Sequence, residues 1–211
     1  MKLGEIKLEA LKLMFANYNH DITIDGLVEY YADENYGSYL INMPGSINRC
    51  LSVIENKSVL PSKTLNITPN MGLASGGRVK VELLSVAPDI YLIERIAKET
   101  PYDYNGNVDY YLEGNTLVLG ALRKDEQYVV VYKPTLKRIS LDSSDYEELT
   151  GVPDHIACHI PYFIKGDLFR EDEPNEASEA RNWFEQAMSE IVQARANMVS
   201  RVESVYALVE C

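Results

Sequence analysis

Apolar residues recur with helical spacing from the first residues of the chain, and on more than one face: Leu3, Ile6, Ala10, Leu13 and Met14 lie on one side, with Leu8, Leu11, Phe15 and Tyr18 beside them. A helix resting on a single core carries an apolar stripe of about 100°. The pattern over 2–18 covers more than half the wheel, which predicts a helix touching two neighbours, one of which can be another subunit. After Asn19-His20-Asp21 come a short segment over 23–31 and a mostly helical stretch over 36–59, with Ile47, Leu51 and Ile54 on its buried face. Met43-Pro44-Gly45 should start or kink that helix, because proline lacks an N–H and biases its predecessor away from helical geometry.

Between residues 63 and 133 the spacing changes to alternation, with turn residues at short intervals, which predicts antiparallel strands. They are expected over 63–68, 79–83, 91–97, 107–112, 116–119 and 128–133. Asn105-Gly106 and Gly114-Asn115 stand where tight hairpins need positive φ, Pro134 closes the last strand, and Pro88-Asp89 and Lys124-Asp125-Glu126 supply the other turns.

After Ser140 the helical period returns. A short helix is predicted over 142–149, ending at Thr150-Gly151, and Pro153-Asp154 opens the next with proline in the first turn. Its apolar face is Ile156, Ile160, Phe163, Ile164 and Leu168, with a bend at Pro161. Glu171-Asp172-Glu173-Pro174-Asn175 breaks the chain before the last helix; Asp172 and Asn175 are candidate caps, and Glu176 complements the helix dipole.

The last helix keeps one phase through Ala177, Ala180, Trp183, Phe184, Ala187, Met188, Ile191, Ala194 and Met198, and on through Val202, Val205, Tyr206 and Val209. That exceeds the usual length of a globular helix, so its final turns are expected to project. Trp183 and Phe184 should be buried within the subunit. Val202, Val205, Tyr206 and Val209 are the candidate protein-interface residues. The whole pattern predicts an α+β fold: a helical core over 1–60 and 140–198, in which N-terminal helices pack with a long C-terminal helix pair, an inserted antiparallel β module over 61–139, and a C-terminal extension over 199–211.

Composition narrows the function classes. With 46% hydrophobic residues in 211, the chain can bury a substantial core. Met1-Lys2-Leu3-Gly4-Glu5-Ile6-Lys7 is an amphipathic, charged start, and nowhere do about eighteen apolar residues run together, so a soluble chain without a classical secretion signal or membrane partner is expected. Cys50, Cys158 and Cys211 read as free thiols of a reducing compartment. The formal net charge is −12, and the densest basic stretch, 133–138, holds three cations. Phosphate binding needs a local cationic surplus, so DNA should be repelled rather than gripped.

Candidate chemistry is sparse. Gly72-Leu73-Ala74-Ser75-Gly76-Gly77-Arg78 has the glycine spacing of a phosphate loop, but Arg78 and Val79 stand where lysine and Ser/Thr belong, and a strand follows where a helix N-terminus is needed. It is read as a flexible loop. His155 and His159 lie four apart beside Cys158, which supplies too few donors for zinc, and the set is read as surface or interface. The acidic groups at 171–173 and 142–148 read as a helix break and a solvated face. No serine or cysteine has an evident histidine partner, so neither catalytic residues, metal nor cofactor are assigned. Seven of the fifteen tyrosines lie between Tyr91 and Tyr132 and suit cross-strand pairing or an interface.

Several stretches resemble a known family. They are Gly114-Asn115-Thr116-Leu117 with Tyr128-Val129-Val130-Val131-Tyr132, then Val152-Pro153-Asp154-His155 through Asp167-Leu168-Phe169, Asp172-Glu173-Pro174-Asn175 and Ala180, with Met43-Pro44 and Ile47-Asn48 earlier. In these the chain resembles the head-to-tail connector (adaptor) proteins of tailed bacteriophages, most clearly over 107–198. The resemblance implies a structural protein and not an enzyme: a homo-oligomeric ring, usually of twelve copies, beneath the portal protein and joined to the next tail component. DNA would pass through its channel without specific binding. The place implied is the head–tail junction of the virion, assembled in the bacterial host cytoplasm. Two other readings are a small-molecule-binding or regulatory module with a cleft between sheet and helices, and a metal-dependent enzyme using His155 and His159.

Overall fold

The first helix, α1 (Leu3–Met14), buries Leu3, Ile6, Leu8, Ala10, Leu11 and Met14 and leaves Glu5 and Glu9 exposed. The Lys2 N–H donates to Glu5 Oε2 at 2.8 Å, the N–H groups of Leu3 and Gly4 donate to the carbonyls of Glu147 (2.9 Å) and Asp145 (2.8 Å), and the otherwise unpartnered first-turn donors are thereby satisfied. Most of the apolar surface of α1 is buried within its own chain, while Leu13 and Phe15 are half-buried and Tyr18 lies outside the described residues.

The computed structural model describes residues 1–15, 22–57, 59–68, 70–71, 73–75, 78–99, 104–105, 108–120 and 126–207, with backbone alone at 73–75, 104–105 and 197–207. Helices and antiparallel strands together make an α+β fold. The chain divides into a helical unit, Met1–Val59 with Leu136–Cys211, and a β unit, Leu60–Thr135.

In the helical unit α2 (Leu27–Tyr30) precedes α3 (Gly37–Asn56). As expected for 36–59, α3 is one helix from Gly37, and of the two roles open to Met43-Pro44-Gly45 it is not the helix start, since Pro44 lies inside. Leu40, Met43, Ile47, Cys50, Leu51 and Ile54 are fully buried, and this packing outweighs the hydrogen bond that proline removes, a loss on the order of 3 kcal/mol. The chain returns from the β unit by lying along α3. Asn48 pairs with Ile139 in both directions (2.8 and 3.0 Å), while the Glu55 carboxylate accepts the Leu136 N–H and the Arg138 guanidinium at 2.5 Å each.

The helix expected over 142–149 is absent; that stretch is turns and an isolated bridge between Lys2 and Glu148. Ser143 Oγ accepts the Ser140 N–H and Ser144 Oγ the Tyr146 N–H, local bonds that compete with helix. Two helices follow where one bent helix was expected. They are α5 (Asp154–Ala157) and α6 (Ile160–Leu168), and Pro161 sits in the first turn of α6, where its missing N–H costs nothing. After the break, α7 (Pro174–Ala207) crosses close to α6 at Gly166, where a Cβ would lie 3.0 Å from the Ala177 carbonyl oxygen.

The β unit has two antiparallel sheets, ordered β1 (Lys63–Ile67), β8 (Gln127–Pro134), β4 (Ile90–Glu99), β5 (Tyr104–Asn105), and β2 (Leu73–Ser75), β3 (Arg78–Glu82), β7 (Thr116–Gly120), β6 (Tyr111–Glu113). One apolar cluster draws on both: Ile67, Ile96, Tyr128 and Val130 from the first, Val79, Val81, Leu117 and Leu119 from the second, and Leu83 of the short helix α4 (Leu83–Val86). Gly114, at φ +62°, turns β6 into β7. The strand expected over 107–112 is displaced, β6 being only Tyr111–Glu113. The stretch read as a flexible loop contains β2, paired with Leu73 opposite Lys80 and Ser75 opposite Arg78. Gly106 of the expected Asn105-Gly106 turn, and Lys124-Asp125, lie outside the described residues. Among the described residues no helix is long and apolar enough to cross a membrane.

Candidate interaction site

The assigned interface residues fall at the far end of α7. Val202, Val205 and Tyr206 are on its last helical turns, and Val209 lies outside the described residues. The helix has 34 residues, about 50 Å at 1.5 Å per residue. Ala177, Ala180, Phe184 and Met188 are buried, Ile191 and Arg195 are half-buried, and Ala194 and Ala196 are exposed. The buried stripe therefore thins after Met188 while the helical backbone continues.

Trp183 is not in the core, contrary to expectation: Phe184 is fully buried against Phe163, ring centroids 5.2 Å apart, whereas Trp183 is 56% exposed. Adjacent helical residues are about 100° apart, so with Phe184 aimed at α6 the indole lands on the rim. Two open recesses meet there and share Tyr162 and Trp183 as walls. One, of about 190 Å³, is completed by His159, Gln186, Ala187 and Glu190. The other, of about 200 Å³, is completed by Leu13, Lys165, Glu176, Glu179 and Ala180. Lys165 Nζ is held by Glu176 at 2.7 Å and the Leu13 carbonyl at 2.6 Å. A signal for this surface was present in the sequence: Glu179 and Gln186, one helical turn before and after Trp183, are polar, while Ala180 and Met188, one turn before and after Phe184, are not.

His155 is exposed and His159 half-buried. Burial lowers the His159 pKa below its ordinary value, Glu190 opposing and His155 adding to the fall. Among the described residues no group of three or more His, Cys, Asp and Glu side chains is placed to hold a metal ion. Burial raises the thiol pKa of both Cys50, which is fully enclosed, and Cys158, away from the low values that make a reactive thiolate.

The acidic group at 142–148 is not simply a solvated face. Asp145 receives the buried Lys7 ammonium at 2.5 Å, and Glu147 receives Lys137 at 2.6 Å. In the other acidic group Asp172 accepts the Tyr39 hydroxyl at 2.6 Å, and burial, aided by that carboxylate, pushes Tyr39 up to about 12. The tyrosines divide: Tyr128 and Tyr132 are buried on β8, whereas Tyr91, Tyr110 and Tyr111 are exposed. Arg78 lies over the Tyr111 ring at 5.5 Å and donates to its hydroxyl at 2.6 Å. No family model and no curated protein matches this chain.

Proposed function

We propose that this chain is a structural virion protein, a head-to-tail connector that forms a homo-oligomeric ring between the portal protein and the next tail component. The observation that carries the proposal is α7, whose helix continues to Ala207 although its buried stripe thins after Met188. In proteins most helical stability comes from packing an apolar face rather than from propensity. The apolar sequence positions Met198, Val202, Val205, Tyr206 and Val209 thus call for a surface on portal or on an adjacent copy. The net charge of −12 suits a channel wall past which DNA must move without sticking. The motif resemblance over 107–198 supports the same reading.

Light scattering of the purified protein, alone and mixed with portal, tests this. A ring or a portal complex is expected, and a lone 23.9 kDa species under both conditions would sink the proposal. Removing residues 199–211 should abolish ring assembly or portal binding while leaving the unfolding midpoint near that of the full chain.

A further inference from the structure

We infer that the surface formed by Trp183 of α7 and Tyr162 of α6 is a docking site for an arginine or lysine side chain presented by a partner protein. Trp183 is the chain's only tryptophan and is 56% exposed, at the junction of the two recesses. A solvent-facing indole beside a second aromatic wall offers a face to which cations are attracted, and tryptophan is the strongest such ring. Tryptophan and tyrosine are also the residues that most often anchor protein interfaces.

The charges around the ring choose the occupant. Glu190 edges one recess, and Glu176 and Glu179 edge the other. The cation among these walls, Lys165, is already engaged by Glu176 and by the Leu13 carbonyl. The rim is therefore net negative on both sides of the indole. A purely apolar partner would strip water from these carboxylates without replacing it, which is costly. The same face of a second copy would set carboxylate against carboxylate. A guanidinium or ammonium stacked on Trp183 satisfies ring and rim together, and the planar, forked guanidinium fits both best. The site lies on side chains distinct from Val202, Val205, Tyr206 and Val209, and the inference stands or falls independently of ring formation.

Because the chain has a single tryptophan, its fluorescence reports on this site alone. The full chain is titrated with a blocked arginine-containing peptide and, in parallel, with the same peptide carrying citrulline, which keeps the shape and loses the charge. A saturable change with the arginine peptide, weakened by salt and absent with citrulline, is expected. Glu179→Gln and Glu190→Gln should each weaken binding about two- to fivefold. Trp183→Phe, followed by calorimetry because the reporter is gone, should weaken it at least as much while leaving the circular dichroism melt unchanged. Equal responses to the two peptides, no saturable response, or full affinity in a folded Glu179→Gln/Glu190→Gln double variant would each overturn the inference.

Discussion

In the helical unit, polar side chains tie together stretches of chain 83 to 138 residues apart, as in Arg138–Glu55 and Lys7–Asp145, whereas in the β unit the ion pairs lie around one sheet-built apolar core. Those of the β unit range from exposed (Lys80–Glu113) to partly buried (Lys98–Glu126, Lys133–Glu94). Lys7, 3% exposed, reaches Asp145 at 2.5 Å and the Tyr31 hydroxyl at 2.8 Å. Glu55 grips the 136–138 segment, and Asp167 receives Arg49 Nε at 2.9 Å. In the β unit Lys80 meets Glu113 at 2.7 Å with both side chains largely exposed. The reason is geometric. A helix satisfies its backbone hydrogen bonds internally and leaves its neighbours to be chosen by side chains, whereas a strand's backbone bonds are made to its neighbour and help to set register.

The comparison can be broken most severely through the apolar anchor of the helical unit. Phe184→Ala should cost about 3–5 kcal/mol, seen as a lower urea midpoint, since its ring is fully buried against Phe163. An unchanged midpoint would mean that α7 is not held by its buried stripe.

Next in size is the difference between polar pairs. Lys7→Met leaves Asp145 and Tyr31 facing an apolar side chain and should cost about 2–3 kcal/mol, whereas Lys80→Met should leave the midpoint where it was. Equal shifts would erase the distinction between the buried pair and the exposed one. The shifted groups of such pairs also set pH limbs. Burial lowers the Lys7 pKa, but Asp145 and Tyr31 outweigh it and hold the folded value above 10.5. Its contribution is thus complete below the unfolded value and lost as pH rises through the folded one. Asp89 of the β unit behaves oppositely: the Lys63 ammonium, with help from the Tyr132 hydroxyl, holds it below 3.8, so its contribution is present above that value and lost as pH falls through the folded one. Urea midpoints across pH should lose part of their alkaline limb in Lys7→Met and part of their acid limb in Asp89→Asn.

The smallest effects compare glycines. A Cβ at Gly37 would meet the Tyr31 carbonyl oxygen at 2.6 Å, so Gly37→Ala should cost about 1–3 kcal/mol through backbone displacement. At Gly114 there is open space, and alanine meets only the φ +62° penalty, about 1–2 kcal/mol. Thermal melts order the two, and a larger loss at Gly114 would show that turn geometry, not close packing, sets the cost.

Local chemistry was legible wherever one short stretch decides the outcome. The break before Pro174, the change to alternation after residue 63 and the positive φ of Gly114 all follow from residues next to one another. The misreadings share a different cause. Trp183 was expected in the core but the position of α6 leaves it on the rim, and Pro161, expected to bend one helix, sits in the first turn of a second. Ser144 took the Tyr146 backbone donor that a helix would have used, and Leu73–Ser75 found β3 as a neighbour.

The candidate surface shows the same division. The hydrophobic phase of α7 can be read from the chain, because a fixed period maps sequence onto faces. Which edge of that face is covered depends on where α6 lies, and α6 covers Phe184 while leaving Trp183 at the rim. By itself, the sequence determined the α+β class, the division of the chain into helical and strand-forming stretches, the net negative charge and the long last helix, because periodicity, turn chemistry and charge are local properties. Only the tertiary structure decided which buried charges meet, which prolines are tolerated and that Trp183 faces solvent, because those outcomes depend on residues of other elements, from the neighbouring helix for Phe163 and Phe184 to 138 positions away for Lys7 and Asp145.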